Sequence, residues 1–452
     1  ILCPKTPHII SKILFKKRPN FIFLLFFFFS TNMASFLLSE CLENIFLNFI
    51  KHPHGKFNIS VSIKDLYSCT LVSRHWCRIS TPFLYAYPFH HFKNLWVHDS
   101  YFKLIRTLLS CIPQSEIKQF YTTSHAQSTS STSSKHIPST FNYIFFMRIL
   151  IFDELFWNSQ FIYDNKEIWL STHDPEKLSL EQTSRIMDHL LKFMCKHFNN
   201  LTMLELPLAK SNNYIVKLSQ FISLISLQRN LCESLQILEF KNFSFNQINE
   251  EALNLLCSLK NIRELHCNKI NNLNSWAKCL TKLKILEVET NYYDGISIGF
   301  LLHLFQSSSN TLTNLVINNY GRQDITQLFQ QIPFYLRSLK HLEFSGSAMF
   351  QTELLISILK SCTKLVYLKV NLDDDESLKG LGKFIPKTLE RIKFKLLNRM
   401  DFEKSLRCFL EEYMNNIDGD NNNGALKYLE FNKDNKDWKD YYLEVTEKFG
   451  IK

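Results

Sequence analysis

The strongest constraint on the fold is a short pattern, leucine-x-x-leucine-x-apolar, which recurs through the second half of the chain. Its three apolar positions are Leu201/Leu204/Leu206, Leu235/Leu238/Phe240, Ile262/Leu265/Cys267, Leu283/Leu286/Val288, Leu312/Leu315/Ile317, Leu339/Leu342/Phe344, Leu365/Leu368/Val370, Leu389/Ile392/Phe394 and Leu426/Leu429/Phe431. The nine copies start 21 to 37 residues apart. Segments with the apolar spacing of helices lie between them, for example 252–259, 325–332 and 354–362. The pattern predicts a stack of repeats, each with one short strand and one helix, that bury one another's apolar residues.

The nine copies resemble the leucine-rich repeat. The asparagine or cysteine that usually stands three residues beyond the third apolar position occurs only as Asn291, while Asn268, Asn318 and Asn371 are displaced from it. This loss and the irregular repeat lengths are typical of a degenerate array. The resemblance implies that residues 196–452 form an α/β solenoid, a horseshoe with a parallel sheet on its concave side and helices on its convex side.

The residue between the second and third apolar positions of each copy is predicted to point away from the core, because strand side chains alternate. These residues are Glu205, Glu239, His266, Glu287, Val316, Glu343, Lys369, Lys393 and Glu430, with Tyr367, Arg391 and Tyr428 two positions earlier on the same face. The face changes from acidic to basic along its length. We expect a partner protein of complementary charge to bind at Glu239, His266, Glu287, Glu343, Tyr367, Lys369, Arg391 and Lys393. The alternative is that these are solvated charges without a specific partner.

Two amphipathic segments near the N-terminus predict a small helical unit. The first, residues 36–50, spaces its apolar residues by three and four, with Ser39 as a candidate cap. The second begins at Asp65 and is expected to end before Pro82. So small a unit cannot bury much apolar surface alone, so its spare apolar face either docks on the rest of the chain or binds another protein.

Residues 33–90 resemble the F-box, which usually opens with LPxExLxxIF and closes with a VCRxW-like sequence. The residues that align with it are Leu37, Leu38, Glu40, Leu42, Ile45 and Phe46 at the opening, Leu66 to Cys69 in the middle, and Leu71, Val72, Arg74 and Trp76 at the end. Leu38 replaces the usual proline, and the join at 51–64 is longer than usual. The alternative interpretation is an amphipathic helical cap on a larger fold.

The F-box resemblance implies a function for both parts of the chain. F-box proteins dock this unit on the adaptor protein of the SCF cullin/RING ubiquitin ligase, while the rest of the chain holds a protein substrate. We expect the adaptor contacts at Leu38, Leu42, Ile45, Leu71, Val72 and Trp76, some of which must also hold the helices together. Catalysis would belong to the partner enzymes of the ligase, so we expect no enzymatic activity here. The alternative is a repeat scaffold that binds proteins without any link to ubiquitination.

Residues 91–195 are expected to connect the helical unit to the repeats. The Ser/Thr-rich stretch 122–135 has no apolar periodicity and predicts a flexible loop. The flanking segments 92–112 and 141–156 are too hydrophobic for a linker, so we expect helical or irregular structure there.

Two features bear on the cellular compartment. Residues 1–32 place a basic stretch before an apolar run at 21–29, the order of a secretory signal. We prefer to interpret them as a gene-model artefact or an unstructured segment ahead of a true start at Met33. The twelve cysteines are spread singly without a CxxC pair, which is typical of reduced thiols. We therefore expect a cytoplasmic or nuclear protein.

The net charge of +10 gives little support for a nucleic-acid or membrane partner. Residues 1–32 hold five basic residues and no acidic one, which leaves +5 for the remaining 420 residues. An excess of this size is too small to indicate binding to nucleic acid or to an anionic membrane, and we expect neither.

Motifs for catalysis, metals and cofactors are absent or incomplete. The chain has only 10 glycines, no GxxxxGK[ST] loop, and no third glycine after Gly380-Leu381-Gly382. Residues 295–299 fit the G-x-S-x-G elbow of hydrolases, but six residues separate it from the preceding strand pattern, so a loop explains it better than a serine hydrolase. Residues 418–422 are similar to the start of a calcium loop, but Leu429 stands where the glutamate is required. We expect no cofactor and no metal site.

Overall fold

The computed structural model describes residues 37–50, 63–91, 98–113, 115–117, 141–170, 178–206, 212–240, 254–268, 274–290, 297–319, 325–346, 350–396, 402–417 and 426–431. The chain divides into two compact units, residues 1–150 with 166–175 and residues 151–165 with 176–452. The expectations for residues 1–32, for the Ser/Thr-rich stretch, for Asn291 and for residues 418–422 lie outside the described residues.

The main elements follow the chain in this order. The α-helices are α1 (Ser39–Ile50), α2 (Ile63–Thr70), α3 (Arg74–Leu84), α4 (His98–Leu109), α5 (Tyr143–Phe146), α6 (Glu154–Trp157), α7 (Ser159–Asp164), α8 (Lys166–Trp169), α9 (Leu180–His197), α10 (Asn212–Ser226), α11 (Arg229–Ser234), α12 (Asn274–Ala277), α13 (Ile298–Ser307), α14 (Thr326–Tyr335), α15 (Thr352–Ser361) and α16 (Phe402–Ile417). The strands are β1 (Ile149–Ile151), β2 (Met203–Leu206), β3 (Ile237–Phe240), β4 (Glu264–Cys267), β5 (Ile285–Thr290), β6 (Asn314–Asn319), β7 (His341–Gly346), β8 (Tyr367–Leu372), β9 (Arg391–Leu396) and β10 (Tyr428–Phe431). Short 3₁₀ helices occupy Pro88–His91, Glu376–Leu378 and Gly382–Phe384.

One open sheet of ten strands, arranged in chain order, organises the fold. Successive strands from β2 to β10 pair in parallel. These nine strands are those predicted from the nine copies of the pattern, and every one of their apolar positions is buried. Each copy places its second and third apolar residues on the same side of its strand, so the strands share one continuous apolar side. The chain is therefore an α/β repeat protein with a parallel sheet.

The apolar side of the sheet packs against the helices that connect the strands. Helices α12, α13, α14 and α15 lie beside one another in succession. Trp276 on α12 is fully buried, with its ring 5.9 Å from Phe240 of β3 and 6.2 Å from Phe300 of α13. A large aromatic ring shared in this way ties neighbouring repeats together.

The connection between β8 and β9 differs from the predicted plan of one α-helix per repeat. Two 3₁₀ helices replace the α-helix there. The segment begins with the acidic run 373–376, and Asp374 Oδ1 accepts hydrogen bonds from both the backbone N and the hydroxyl of Ser377. Side-chain bonds of this kind favour tight turns over α-helix. The run is a turn that is only partly solvated, because Asp375 is buried.

The connecting region contains helices, as expected, and one strand that the sequence did not predict. Strand β1 lies in the apolar segment 141–156, where helical or irregular structure was expected. Its three residues are all buried. A short apolar run without alternation does not distinguish a buried strand from a buried helical segment.

The two amphipathic segments form a helical unit of three helices, within the two or three that so short a stretch of chain allows. The second segment is interrupted at Leu71 and Val72, and α3 begins after Ser73, whose hydroxyl accepts a hydrogen bond from Trp76 N at 3.2 Å. The third helix continues through Pro82 to Leu84 instead of ending before the proline. Helix α3 packs against both α1 and α2.

Candidate protein-binding surfaces

The six residues predicted to bind the adaptor separate into an exposed and a more buried set. Leu38 is 69% exposed, Leu71 is 71% exposed and Val72 is 42% exposed. Leu42 is fully buried, Trp76 is 4% exposed, and Ile45 is half-buried. The exposed set presents apolar side chains to solvent, which is the property that an apolar docking surface needs.

Leu42 and Trp76 belong to the core of the helical unit. The Trp76 ring meets Phe46 of α1 edge to face, with centroids 5.8 Å apart, and Phe46 meets Phe83 in the same way at 5.9 Å. Both residues therefore belong to the set that folds the helical unit, and Trp76 packs α3 against α1 through Phe46. Their contact with the adaptor stays a prediction.

The exposed set gathers where α1 and α3 begin. Leu71 and Val72 form the turn that precedes α3. The Nε2 atom of His75, in the first turn of α3, lies 3.1 Å from the backbone oxygen of Leu37, the neighbour of Leu38. This contact brings the beginning of α1 to the beginning of α3. We call Leu38, Leu71 and Val72 together the apolar tip.

The outward residues of the nine repeat strands form a continuous row on the other side of the sheet. The register aligns Glu205, Glu239, His266, Glu287, Val316, Glu343, Lys369, Lys393 and Glu430. Tyr367, Arg391 and Tyr428 align with one another in the adjacent row. Glu205 is only 2% exposed, so the row that solvent reaches begins at Glu239. The predicted alternation is confirmed, whereas the binding role of these residues stays a prediction.

The acidic end of the row is centred on a histidine. His266 Nδ1 lies 2.9 Å from Glu287 Oε2, and its Nε2 lies 3.9 Å from Glu264 Oε2. Burial alone would lower the pKa of His266, but the carboxylates of Glu264, Glu287 and Glu239 outweigh it and raise the pKa to about 9. The imidazole is therefore a cation at neutral pH and neutralises part of the surrounding negative charge.

The basic end of the row is held by ion pairs between neighbouring strands. Lys369 Nζ forms an ion pair with Glu343 on β7. Arg391 Nε donates a 2.8 Å hydrogen bond to Glu430 Oε1, and Lys393 Nζ lies 3.3 Å from Glu430 Oε2. Burial opposes ionisation of Glu430, but these two cations lower its pKa below the usual value. Each carboxylate thus fixes cationic side chains that are still partly exposed.

Aromatic rings lie among these charges. The rings of His341 and Tyr367 stack, with centroids 4.3 Å apart and planes inclined by 11°. The guanidinium carbon of Arg391 lies 5.7 Å from the ring centroid of Tyr428, within the range of a cation–π interaction. His341, at 3.9 Å, and the paired lysine lower the pKa of Glu343 to about 2, although burial opposes them. Burial raises the pKa of Tyr367 to about 12, so its hydroxyl stays protonated.

Sequence reasoning missed several charged residues of this face, among them Glu289, which follows Glu287 by two positions on β5. Glu264 precedes His266 by two positions, His341 precedes Glu343 by two, and Lys395 follows Lys393 by two. All of them sit at outward positions of their strands. The period of two that identified the row also applies to its neighbours, so the same rule would have found them.

The serine of the G-x-S-x-G sequence has a structural role. Ser297 precedes α13, and its hydroxyl accepts a hydrogen bond from Phe300 N at 3.4 Å, the geometry of a helix N-cap. Within the described ranges, no three His, Cys, Asp or Glu side chains are grouped so that they could hold a metal ion. A search of the same ranges for a helix long and apolar enough to cross a membrane finds none.

Comparisons with known proteins give weak similarities of structure. No protein-family model matches the chain, and no curated protein matches it. A Bacteroides fragilis protein of known crystal structure aligns with a TM-score of 0.33 and 15% identity, over 46% of this chain and 63% of its own length. The crystal structure of the yeast Rad7 and Elc1 complex aligns with a TM-score of 0.28 and 13% identity, over 60% of this chain and 74% of its own. Similarities of this size carry no information on function.

Proposed function

We propose that this chain is the substrate-recognition subunit of an SCF-type cullin/RING ubiquitin ligase. In this proposal the helical unit is an F-box that docks on the adaptor, and the sheet belongs to a leucine-rich-repeat horseshoe that binds a protein substrate. The observation that carries the proposal is the apolar tip, where Leu38, Leu71 and Val72 are exposed within the two segments that resemble the F-box. Exposed apolar side chains on a small helical unit are typical of a surface that another protein covers.

The core of the helical unit supports the same proposal. Leu42, Phe46 and Trp76 are apolar residues of the F-box resemblance. All three are buried, and the rings of Phe46 and Trp76 pack α1 against α3. The resemblance therefore accounts for two sets of residues, one that folds the unit and one that remains available. Burial of apolar side chains is favourable, so the leucines of the apolar tip would contribute to binding when another protein removes them from water.

The role proposed for this chain is substrate binding, which requires no catalytic group. The ubiquitin transfer would be performed by the partner enzymes of the ligase. This chain would hold a substrate lysine close to the activated ubiquitin and so raise its effective concentration. Such a ligase subunit would act in the cytoplasm or the nucleus, where its single cysteines would stay reduced.

Co-purification of the full chain with the SCF adaptor tests the proposal. We expect stable binding by the wild type and its loss in the double variant Leu38→Asp/Leu71→Asp, because two carboxylates would have to be buried against the adaptor. Leu227→Asp is the matched control, since Leu227 is an equally exposed leucine on the repeat unit. Circular dichroism shows whether each variant is folded.

The alternative function is a repeat scaffold without a link to ubiquitination. It predicts that a folded wild-type chain does not bind the adaptor, or that the Leu38→Asp/Leu71→Asp variant binds as well as the wild type does. Either result would contradict the proposed function. In the first case Leu38, in place of the usual proline, and the long join at 51–64 would be the first features to examine.

A further inference from the structure

The outward side of β9 carries only cations. Arg391, Lys393 and Lys395 occupy every second position of this strand, so their side chains share one face. Alternate residues of a parallel strand are about 6.6 Å apart, so three positive charges follow one another at that spacing. All three side chains are at least partly exposed. We call these residues the β9 cation line.

Few carboxylates of the described residues oppose this line. Glu430 on β10 pairs with Arg391 and Lys393. Lys395 aligns with Asn371 on β8, and it forms no ion pair within the described part of the chain. Counting Lys369 and its partner Glu343 as well, four cations face two carboxylates on the outward side of β7 to β10. This end of the sheet therefore carries an excess of positive charge.

We propose that the β9 cation line docks an extended polypeptide segment with acidic residues at alternate positions. As a statement of the substrate class of a ligase receptor, this inference rests on the proposed function. An extended chain repeats its side chains on one side at the same spacing as β9, so successive carboxylates of the segment face successive cations. Arg391 can receive a carboxylate through two parallel hydrogen bonds, which adds geometric specificity to the charge.

The aromatic residues beside the line favour a polypeptide over other anions. Tyr428 is exposed next to Arg391, and Tyr367 lies on the opposite side of Arg391 in the same row. Tyrosine and arginine are enriched in protein interfaces, where a ring offers apolar contact at low entropic cost.

The opposite end of the row defines where the segment binds. The outward side of β3 to β5 carries Glu239, Glu264, Glu287 and Glu289, with His266 as the cation among them. An acidic segment is repelled from these strands and attracted to β9. The two ends of this face carry opposite charges. Repulsion at β3 to β5 and attraction at β9 therefore determine where along the sheet the acidic segment binds.

Glu430 has a specific part in this proposal as a competitor for the cations. Its carboxylate occupies Arg391 and Lys393 in the free protein, so an acidic segment has to displace it. Removing this carboxylate should therefore strengthen binding of the segment, whereas removing the cations should weaken it. A residue with a merely structural role would not produce opposite effects of this kind.

Fluorescence anisotropy with the full chain tests the proposal. The probe is a labelled twelve-residue peptide with glutamate at every second position and serine between, and its glutamine counterpart is the uncharged reference. We expect saturable binding of the glutamate peptide that weakens as salt is raised, because exposed charges are screened. Lys393→Gln/Lys395→Gln should weaken binding about tenfold, and Glu430→Gln should strengthen it about threefold. Lys404→Gln, an exposed lysine on α16, is the control and should change nothing.

Three results would overturn the proposal, provided that circular dichroism shows folded variants. The first is equal binding of the glutamate and glutamine peptides. The second is a Glu430→Gln variant that binds the glutamate peptide no more tightly than the wild type. The third is binding of a twelve-nucleotide oligothymidylate as tightly as the peptide, with the same changes in affinity in the same protein variants.

Adaptor co-purification with the same preparations separates this inference from the proposed function. Peptide binding with the expected variant effects but without adaptor binding would contradict the ligase function and leave the docking site for an acidic segment supported. Adaptor binding without peptide binding would contradict the docking site alone.

Discussion

The hydroxyl of Thr290, at the end of β5, donates a 2.9 Å hydrogen bond to Oδ1 of Asn319 at the end of β6. Both side chains are buried, and the strand register places the two residues side by side. This buried polar pair lies at the edge of the apolar core and joins two repeats. It specifies the alignment of β5 with β6 at a point where apolar packing does not. A buried hydroxyl that loses such a partner keeps its full desolvation cost.

We predict that Asn319→Ala lowers the free energy of unfolding by about 1 to 3 kcal/mol, because the Thr290 hydroxyl loses its acceptor. Chemical denaturation followed by circular dichroism measures the change. Asn318→Ala, at the preceding and partly exposed position of the same strand, is the control and should cost less than about 0.5 kcal/mol. Equal stability of the Asn319→Ala variant and the wild type would contradict the role of this pair.

Gly346, at the end of β7, is expected to tolerate no side chain. Its φ is +131°, and a Cβ atom built there would lie 1.8 Å from the backbone oxygen of Asn319. Because this obstacle is backbone in a paired strand, relief requires movement of the sheet. We predict a loss of more than about 3 kcal/mol for Gly346→Ala, which combines backbone strain with a steric clash.

Gly380→Ala provides a matched control for this prediction. Gly380 also has a positive φ, +85°, but a Cβ atom there would meet nothing within 4 Å. Only the backbone conformation is then unfavourable, and we expect a cost of about 1 to 2 kcal/mol. Thermal unfolding of the two variants compares the effects, and a Gly346→Ala variant as stable as Gly380→Ala would show that the sheet can move.

The repeat strands could be predicted from the sequence because their apolar residues encode both the period of the strand and the period of the repeat. Copies such as Leu339/Leu342/Phe344 indicate which side of each strand is buried. Alignment of successive copies predicts the register of neighbouring strands. The pairing of Lys369 with Glu343 follows from that register, because the two residues occupy the same position in adjacent copies. Strand β1 could not be predicted in this way, since a run in which every residue is buried has no alternation to detect.

The sequence could not predict which of the six proposed adaptor contacts are exposed and which are buried. Leu38 and Leu42 are both leucines of one amphipathic segment, yet one is 69% exposed and the other is fully buried. The buried face of a short helix is determined by the angles at which neighbouring helices cross it. Here these angles depend on the turn at Leu71 and Val72. The sequence pattern describes each helix separately and contains no direct information on their mutual packing.

Ser297 is predicted to contribute to stability and not to catalysis. Its hydroxyl caps α13, so Ser297→Ala should lower the free energy of unfolding by about 1 kcal/mol, whereas Ser297→Asp should retain the cap. Ser357→Ala, at an exposed position inside α15, is the control and should cost nothing, because alanine favours helix. A serine-reactive fluorophosphonate probe should not label the wild type. Labelling that disappears in Ser297→Ala would instead support a hydrolase.

His266 is predicted to make the stability of the repeat unit depend on pH. Its pKa is about 9 in the folded chain, where Glu264, Glu287 and Glu239 favour the protonated form, against a usual value of 6.5. A group with a raised folded pKa stabilises the folded state fully below its unfolded pKa and loses this contribution as the pH rises through the folded pKa. The contribution of His266 should therefore be complete below about pH 6.5 and should disappear between about pH 6.5 and 9.

Urea unfolding of the wild type and His266→Gln at pH 6, 7.5 and 9 measures this contribution. One pKa unit corresponds to about 1.4 kcal/mol. We therefore expect the free energy of unfolding of the variant to be lower than that of the wild type by an amount on the order of 1 to 3 kcal/mol at pH 6. This gap in stability between the two proteins should narrow towards pH 9. The gap should narrow less when the same substitution is made in a Glu287→Gln background, because that background lacks the carboxylate hydrogen-bonded to Nδ1. A gap that stays constant or widens with rising pH would show that the imidazole is not held as a cation by these carboxylates.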